Sequence, residues 1–186
     1  MHHAARRPLL LAFVVVAAAA CGSGTPPPTP SSSLPPVTYD EFQAAFCSSF
    51  TSLIRAVGNP DTASPSVMSR ALDDAITAGD GLGGERAATA MLHELAVGRQ
   101  HAGAAARWRP AAATMAQMDR LLAAFEAMTI AKRAAATQAA GAVDPQAAFE
   151  RAGGIEAWTA VLQGVRSLPV PAETIPIPCR ALSGQL

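Results

Sequence analysis

The sequence predicts an all-α fold: a disulfide-stapled antiparallel bundle of four to five helices with an extended C-terminal tail. Three observations carry this. Alanine, the strongest helix former, supplies 17 of the 39 residues from Ala102 to Ala140. Large apolar side chains recur at steps of three and four, and no stretch alternates in the manner of a half-buried strand. Two cysteines, Cys47 and Cys179, stand near the two ends of the part that folds.

The first segment lies outside that fold. It reads "MHHAARRPLLLAFVVVAAAAC", with Arg6 and Arg7 at the start, an apolar run from Leu9 to Ala20, and then Cys21. The run is too short for a membrane-spanning helix, which needs about 20 apolar residues. A basic start, a short apolar core and small residues before a cut describe a secretory signal over residues 1–20. Ala18-Ala19-Ala20-Cys21 resembles the lipobox of bacterial lipoproteins, with Ala18 where Leu is usual. The resemblance covers the leader alone. It implies cleavage before Cys21, lipid on the cysteine sulfur and new amino group, and anchoring at the outer face of the cell membrane or in the envelope. Arg6-Arg7 also fits a twin-arginine leader. Residues 21–37 follow as a tether: Gly22 to Val37 holds six prolines and no charge. Such chain buries nothing, and at about 3 Å per residue it reaches roughly 50 Å.

Residues 38–186 form one domain of ordinary length. With Arg6 and Arg7 removed, the remaining basic residues are outnumbered by 14 Asp and Glu, for a net charge of −2. That balance argues against nucleic acid as a partner and against electrostatic membrane docking. Once Cys21 carries lipid, Cys47 and Cys179 are the thiols left in an exported domain, and a disulfide is their simplest state.

Thr38-Tyr39-Asp40-Glu41 is a capping box, with Val37 and Phe42 spaced as a hydrophobic staple. Phe42, Phe46, Phe50, Leu53, Ile54 and Val57 follow at helical spacing, and Gly58-Asn59-Pro60 ends the first helix. Cys47 shares a side with Phe50 and Ile54. Ser64-Pro65 opens a second helix, with Val67, Ala71, Leu72 and Ile76 inward. "GDGLGG", Gly79 to Gly84, reads as a helix-breaking turn. A third helix runs from about Glu85 to Arg107, with Ala88, Met91, Leu92, Leu95 and Ala102 inward. A fourth runs from Pro110 to Ala140 on the stripe Met115, Met118, Leu121, Leu122, Phe125, Met128 and Thr129. The fifth begins at Asp144-Pro145. Unbroken, it would point Phe149 away from Trp158 and Val165, so a break at Gly153-Gly154 is expected, turning both apolar faces to the core. "LPVPAETIPIPC", Leu168 to Cys179, has four prolines and reads as an extended tail pinned to the first helix through Cys179.

Motifs that carry chemistry are sparse. The sequence has no His-Glu-x-x-His, Glu-x-x-His, Cys-x-x-Cys or Gly-x-Ser-x-Gly, and no nucleophile beside a base, so an enzyme is not expected. Asp73, Asp74 and Asp80 lack the spacing of a calcium loop. His93 and His101 stand about 12 Å apart along a helix and roughly 80° around it, too far to share one ion unaided. Arg86, His93, Gln100 and Arg107 recur every seven residues, the pattern of a solvated face. Trp108, between Arg107 and Arg109, either caps a bundle end or grips an anionic or aromatic partner.

Two functions compete. The first is a non-catalytic, membrane-anchored envelope lipoprotein that binds a small ligand or another envelope protein, with Arg86, His93, His101, Arg107 and Trp108 as candidate contacts. The second is a haem- or metal-binding helical module using His93 or His101, aided by Met91 or Met115. The first reading needs no cofactor.

Overall fold

The computed structural model describes residues 37–59, 64–139 and 144–167, together with Pro35, Gly141 and Cys179. The leader, Cys21, nearly all of the tether and the tail from Leu168 to Pro178 lie outside the described residues. Among the described residues six helices pack together: α1 (Tyr39–Val57), α2 (Val67–Ala78), α3 (Gly81–Ala105), α4 (Ala112–Ala139), α5 (Pro145–Arg151) and α6 (Gly154–Ser167).

The capping box sets the start of α1. The Glu41 N–H donates to Thr38 Oγ1 at 3.3 Å, and the Thr38 N–H donates to the Glu41 carboxylate at 2.7 Å. The Thr38 backbone bond first, and its hydroxyl second, hold the Glu41 carboxyl below its ordinary pKa.

The second helix departs from expectation at its start. Gly58–Asn59 and Ser64–Pro65 form a short antiparallel pair, with Gly58 opposite Pro65. Gly58 has φ +116°, and a Cβ there would overlap the Ser64 carbonyl. The cap is Ser66, whose hydroxyl accepts from the Ser69 N–H at 2.9 Å and donates to the Ala56 carbonyl at 2.7 Å. The helix therefore begins at Val67, not at Ser64-Pro65. Its inward stripe is Met68, Leu72, Ala75 and Ile76. Val67 and Ala71 each precede a stripe residue, fall about 100° to the side, and are exposed.

The glycine run is mostly helix rather than turn. Gly79 alone turns, at φ +69°. Asp80 caps α3 by accepting from the Gly83 N–H at 2.9 Å, so Gly81 to Gly84 form its first turn. Gly84 is buried where α3 crosses α4, and a Cβ on it would overlap that of Ala136. The helix ends at Ala105 rather than at Arg107. A tight turn over Arg109–Ala111, with Pro110 early in it, leads into α4.

The main core joins α1, α3 and α4 through Phe46, Leu53, Leu95, Met115, Met118, Leu121 and Leu122. Small residues set the spacing of α1 and α3: a Cβ on Gly98 would lie 3.3 Å from both Ser52 Cβ and a Leu122 methyl. Arg99 ties α3 to α4, reaching Asp119 at 2.8 Å and Glu126 at 2.9 Å. Those carboxylates, Asp119 foremost, raise the Arg99 pKa, so the tie keeps its positive member at any working pH.

Ser49 is fully buried in α1, and its hydroxyl has no hydrogen-bond partner. An unpartnered buried hydroxyl is destabilising. Ser49→Ala keeps the Cβ and removes the oxygen, and is expected to raise the melting temperature by roughly 2–4 °C, the equivalent of about 1 kcal/mol. A fall in a thermal scan would show that the hydroxyl is stabilising after all.

The expected break divides the last helix at Gly153, which takes φ +79°. Gly154 follows under the Phe149 ring, where a Cβ would clash. The faces turn out differently from expectation. Phe149 is half-buried, but Trp158 and Val165 are 49% and 53% exposed. The reason is the choice of contact: α6 lies on α4 through Ala157, Val161 and Gly164. A Cβ on Gly164 would come within 2.9 Å of a Leu121 methyl. The small residues touch, and the large ones are left to the side.

Cys47 and Cys179 are bonded, with Cα atoms 5.2 Å apart, and both are buried in the main core. The staple thus links α1 to the C-terminal region.

Candidate functional site

Two grooves bear on function. The first lies between α1 and α3 and has a volume of about 850 Å³. His93 and His101 both line it, along with Asp40, Gln43, Arg55 and Glu94. Its walls mix polar and apolar surface, and His93 is exposed on them while His101 is half-buried. Among the described residues no group of three or more His, Cys, Asp or Glu is placed to hold a metal ion. Met91 and Met115, the expected helpers of a histidine-ligated haem, are buried in the core on other faces of the bundle.

The seven-residue stripe is only partly the solvated face that its spacing suggests. Arg86, His93 and Gln100 are exposed. Arg107 is half-buried; its guanidinium donates to the Pro35 carbonyl, and its Nε is buried without a partner. Trp108 caps the end of the core. Its ring stacks on Phe42 at 4.5 Å between centroids and tilts against Tyr39 at 5.3 Å. The ring face of Trp108 is therefore taken by Phe42 and Tyr39 of α1, whereas Arg86, His93 and Gln100 stay exposed. Asp73 is engaged by Lys132 at 2.6 Å and Asp80 caps α3, so these two aspartates have separate local roles.

The second groove was not anticipated from the sequence. It runs between α6 on one side and α1 with the start of α2 on the other, over a floor of α4, and its volume is about 530 Å³. That size lies within the range of small-molecule sites, about 300–1,000 Å³. Phe50, Ile54 and Val57 form one wall, and Leu121, Phe125 and Met128 the floor. Trp158, Leu162 and Val165 form the other wall, with Leu162 38% exposed. Lys132 and Arg166 stand at its rim.

The packing of α6 makes this groove. Ile155, Trp158, Leu162 and Val165 recur at steps of three and four, which in the sequence reads as a core stripe. Gly154, Ala157, Val161 and Gly164, smaller on the whole, recur at similar steps on an adjacent face, and the last three make the contact with α4. Two stripes on one helix, one small and one large, were the available signal. Which would face α4 depends on how closely the backbones approach.

The chain matches no protein-family model, no curated protein and no solved structure.

Proposed function

We propose that this chain is a non-catalytic binding module of the cell envelope, held at the membrane by lipid on Cys21. It offers its apolar groove to a ligand or partner. The groove is the observation that carries the reading. Aromatic and aliphatic side chains from four helices line a concavity that is open to water. A bundle with no ligand to hold would gain by closing it, at about 25 cal/mol for each Å² of apolar surface buried. The leader, the lipobox-like Ala18 to Cys21 and the uncharged tether support the anchor. No helix among the described residues is long and apolar enough to cross a membrane.

In cell fractionation, the wild-type chain is expected with the membranes and Cys21→Ala released from them. The neutral dye Nile red should brighten with the native chain, and Leu162→Asp should abolish that response while leaving the far-ultraviolet circular dichroism unchanged. Membrane retention of Cys21→Ala would overturn the anchor. A dye response indifferent to Leu162→Asp would overturn the groove as the binding site.

A further inference from the structure

The two cations at the rim of the groove differ in state. Lys132 is ion-paired with Asp73 at 2.6 Å. Arg166, on α6, has neither an ion pair nor a hydrogen bond to any of the described residues. They also mark opposite ends. α6 crosses α4 antiparallel, with Gly164 against Leu121 and Ala157 clustered with Met128. Arg166 therefore stands near the Leu121 end and Lys132 beyond the Met128 end. From Leu121 to Lys132, α4 advances roughly 16 Å. The groove is thus an open apolar trough with a guanidinium unpaired among the described residues at one end and a neutralised ammonium at the other.

We infer that the groove takes a single-chain anionic lipid of the fatty-acid type, its alkyl chain lying along α4 and its carboxylate on Arg166. This rests on the reading of the groove as a binding site and adds the chemistry of its occupant. An alkyl chain fits because the walls are apolar along their length and supply few hydrogen-bonding groups. The headgroup belongs at the Arg166 mouth because a guanidinium can hold a carboxylate through two parallel N–H bonds. At the other mouth, Asp73 already satisfies Lys132 and would repel a second anion. A neutral or cationic headgroup would leave Arg166 unpaired. A helix of a second copy is the competing occupant, and it would have to bring a carboxylate of its own to Arg166.

Trp158 in the wall supplies a reporter once Trp108→Phe removes the other tryptophan. The mature chain from residue 21, with Cys21→Ala to dispense with detergent, would be titrated with laurate, dodecanol and dodecyltrimethylammonium below their aggregation limits. Laurate is expected to shift the Trp158 emission and to bind at least about fivefold tighter than dodecanol, with the ammonium weakest. Arg166→Gln should bring laurate to the level of dodecanol, and added salt should narrow the gap in the parent. Equal binding of laurate and dodecanol, indifferent to Arg166→Gln, would overturn the anionic headgroup while leaving the groove as an apolar site. If none of the three binds and Nile red also fails, the groove reading itself falls. A doubling of mass on sedimentation that Leu162→Asp abolishes, with no laurate response, would overturn the lipid in favour of a second copy.

Discussion

Cys179→Ser is expected to lower the stability of the domain by about 2–5 kcal/mol, the largest loss of any single substitution considered. The cysteines are separated by 132 residues, so the bond closes nearly the whole domain into one loop. In the chain-entropy account a loop of that length restricts the unfolded chain by about 5 kcal/mol at most. In Cys179→Ser the native side adds to this, because the cysteine is buried in the main core and a serine hydroxyl would take its place there. Chemical denaturation should show a lower midpoint for Cys179→Ser and for the reduced wild type alike. Cys47→Ser with Cys179→Ser should then be little worse than either alone, since one bond is lost in every case. Coincident oxidised and reduced transitions would refute a stabilising role.

Gly84→Val should cost about 3 kcal/mol, at the upper end of what overpacking usually does. Glycine inside a helix normally invites replacement, since alanine gains about 0.5–1 kcal/mol there. Gly103 offers that ordinary case, with nothing within 4 Å of a Cβ placed on it. Gly84 is the opposite case. Its missing Cβ leaves the room that the Ala136 methyl fills, and no long side chain lies between them to swing aside. Relief requires α3 and α4 to separate, which would open the cluster of Leu72, Ala88 and Met91 beside them. Gly84→Ala paired with Ala136→Gly tests the cause. The double variant, like the wild type, carries one methyl at the crossing, so it should recover most of what Gly84→Ala loses, as a positive coupling in a double-mutant cycle. Additive effects would mean that the contact is not responsible.

Much of the fold is legible locally. The start of α1 is written in four residues, because a capping box needs only a hydroxyl and a carboxylate three apart. The long stripe from Met115 to Thr129 locates the buried face of α4 for the same reason: helical periodicity is a property of the chain alone. The break before α6 is legible too, since paired glycines sit where a continuous helix would have divided its apolar residues between two faces. The disulfide was expected from a count of thiols, two once Cys21 is set aside, and the bonded Cys47–Cys179 pair agrees with that count.

Glycine was the residue least readable in isolation. The run from Gly79 to Gly84 has one composition and two uses: a left-handed turn at Gly79 and close helix contact at Gly84. A sequence shows the absence of a Cβ but not what approaches the space it leaves. Trp108 was ambiguous for a related reason, since only the position of Phe42 and Tyr39 over its ring decides that it caps the core.

By itself the sequence determined the helical class, the capping box of α1 and the bonded cysteines, all of which depend on neighbours along the chain or on residue counts. The tertiary structure alone decided which face of α6 meets α4. Close packing of Ala157 and Gly164 on α4 holds the backbones near each other, and that closeness leaves Trp158, Leu162 and Val165 no room in the core. The apolar groove is the outcome of that competition between two stripes, and no periodicity within one helix could have settled it.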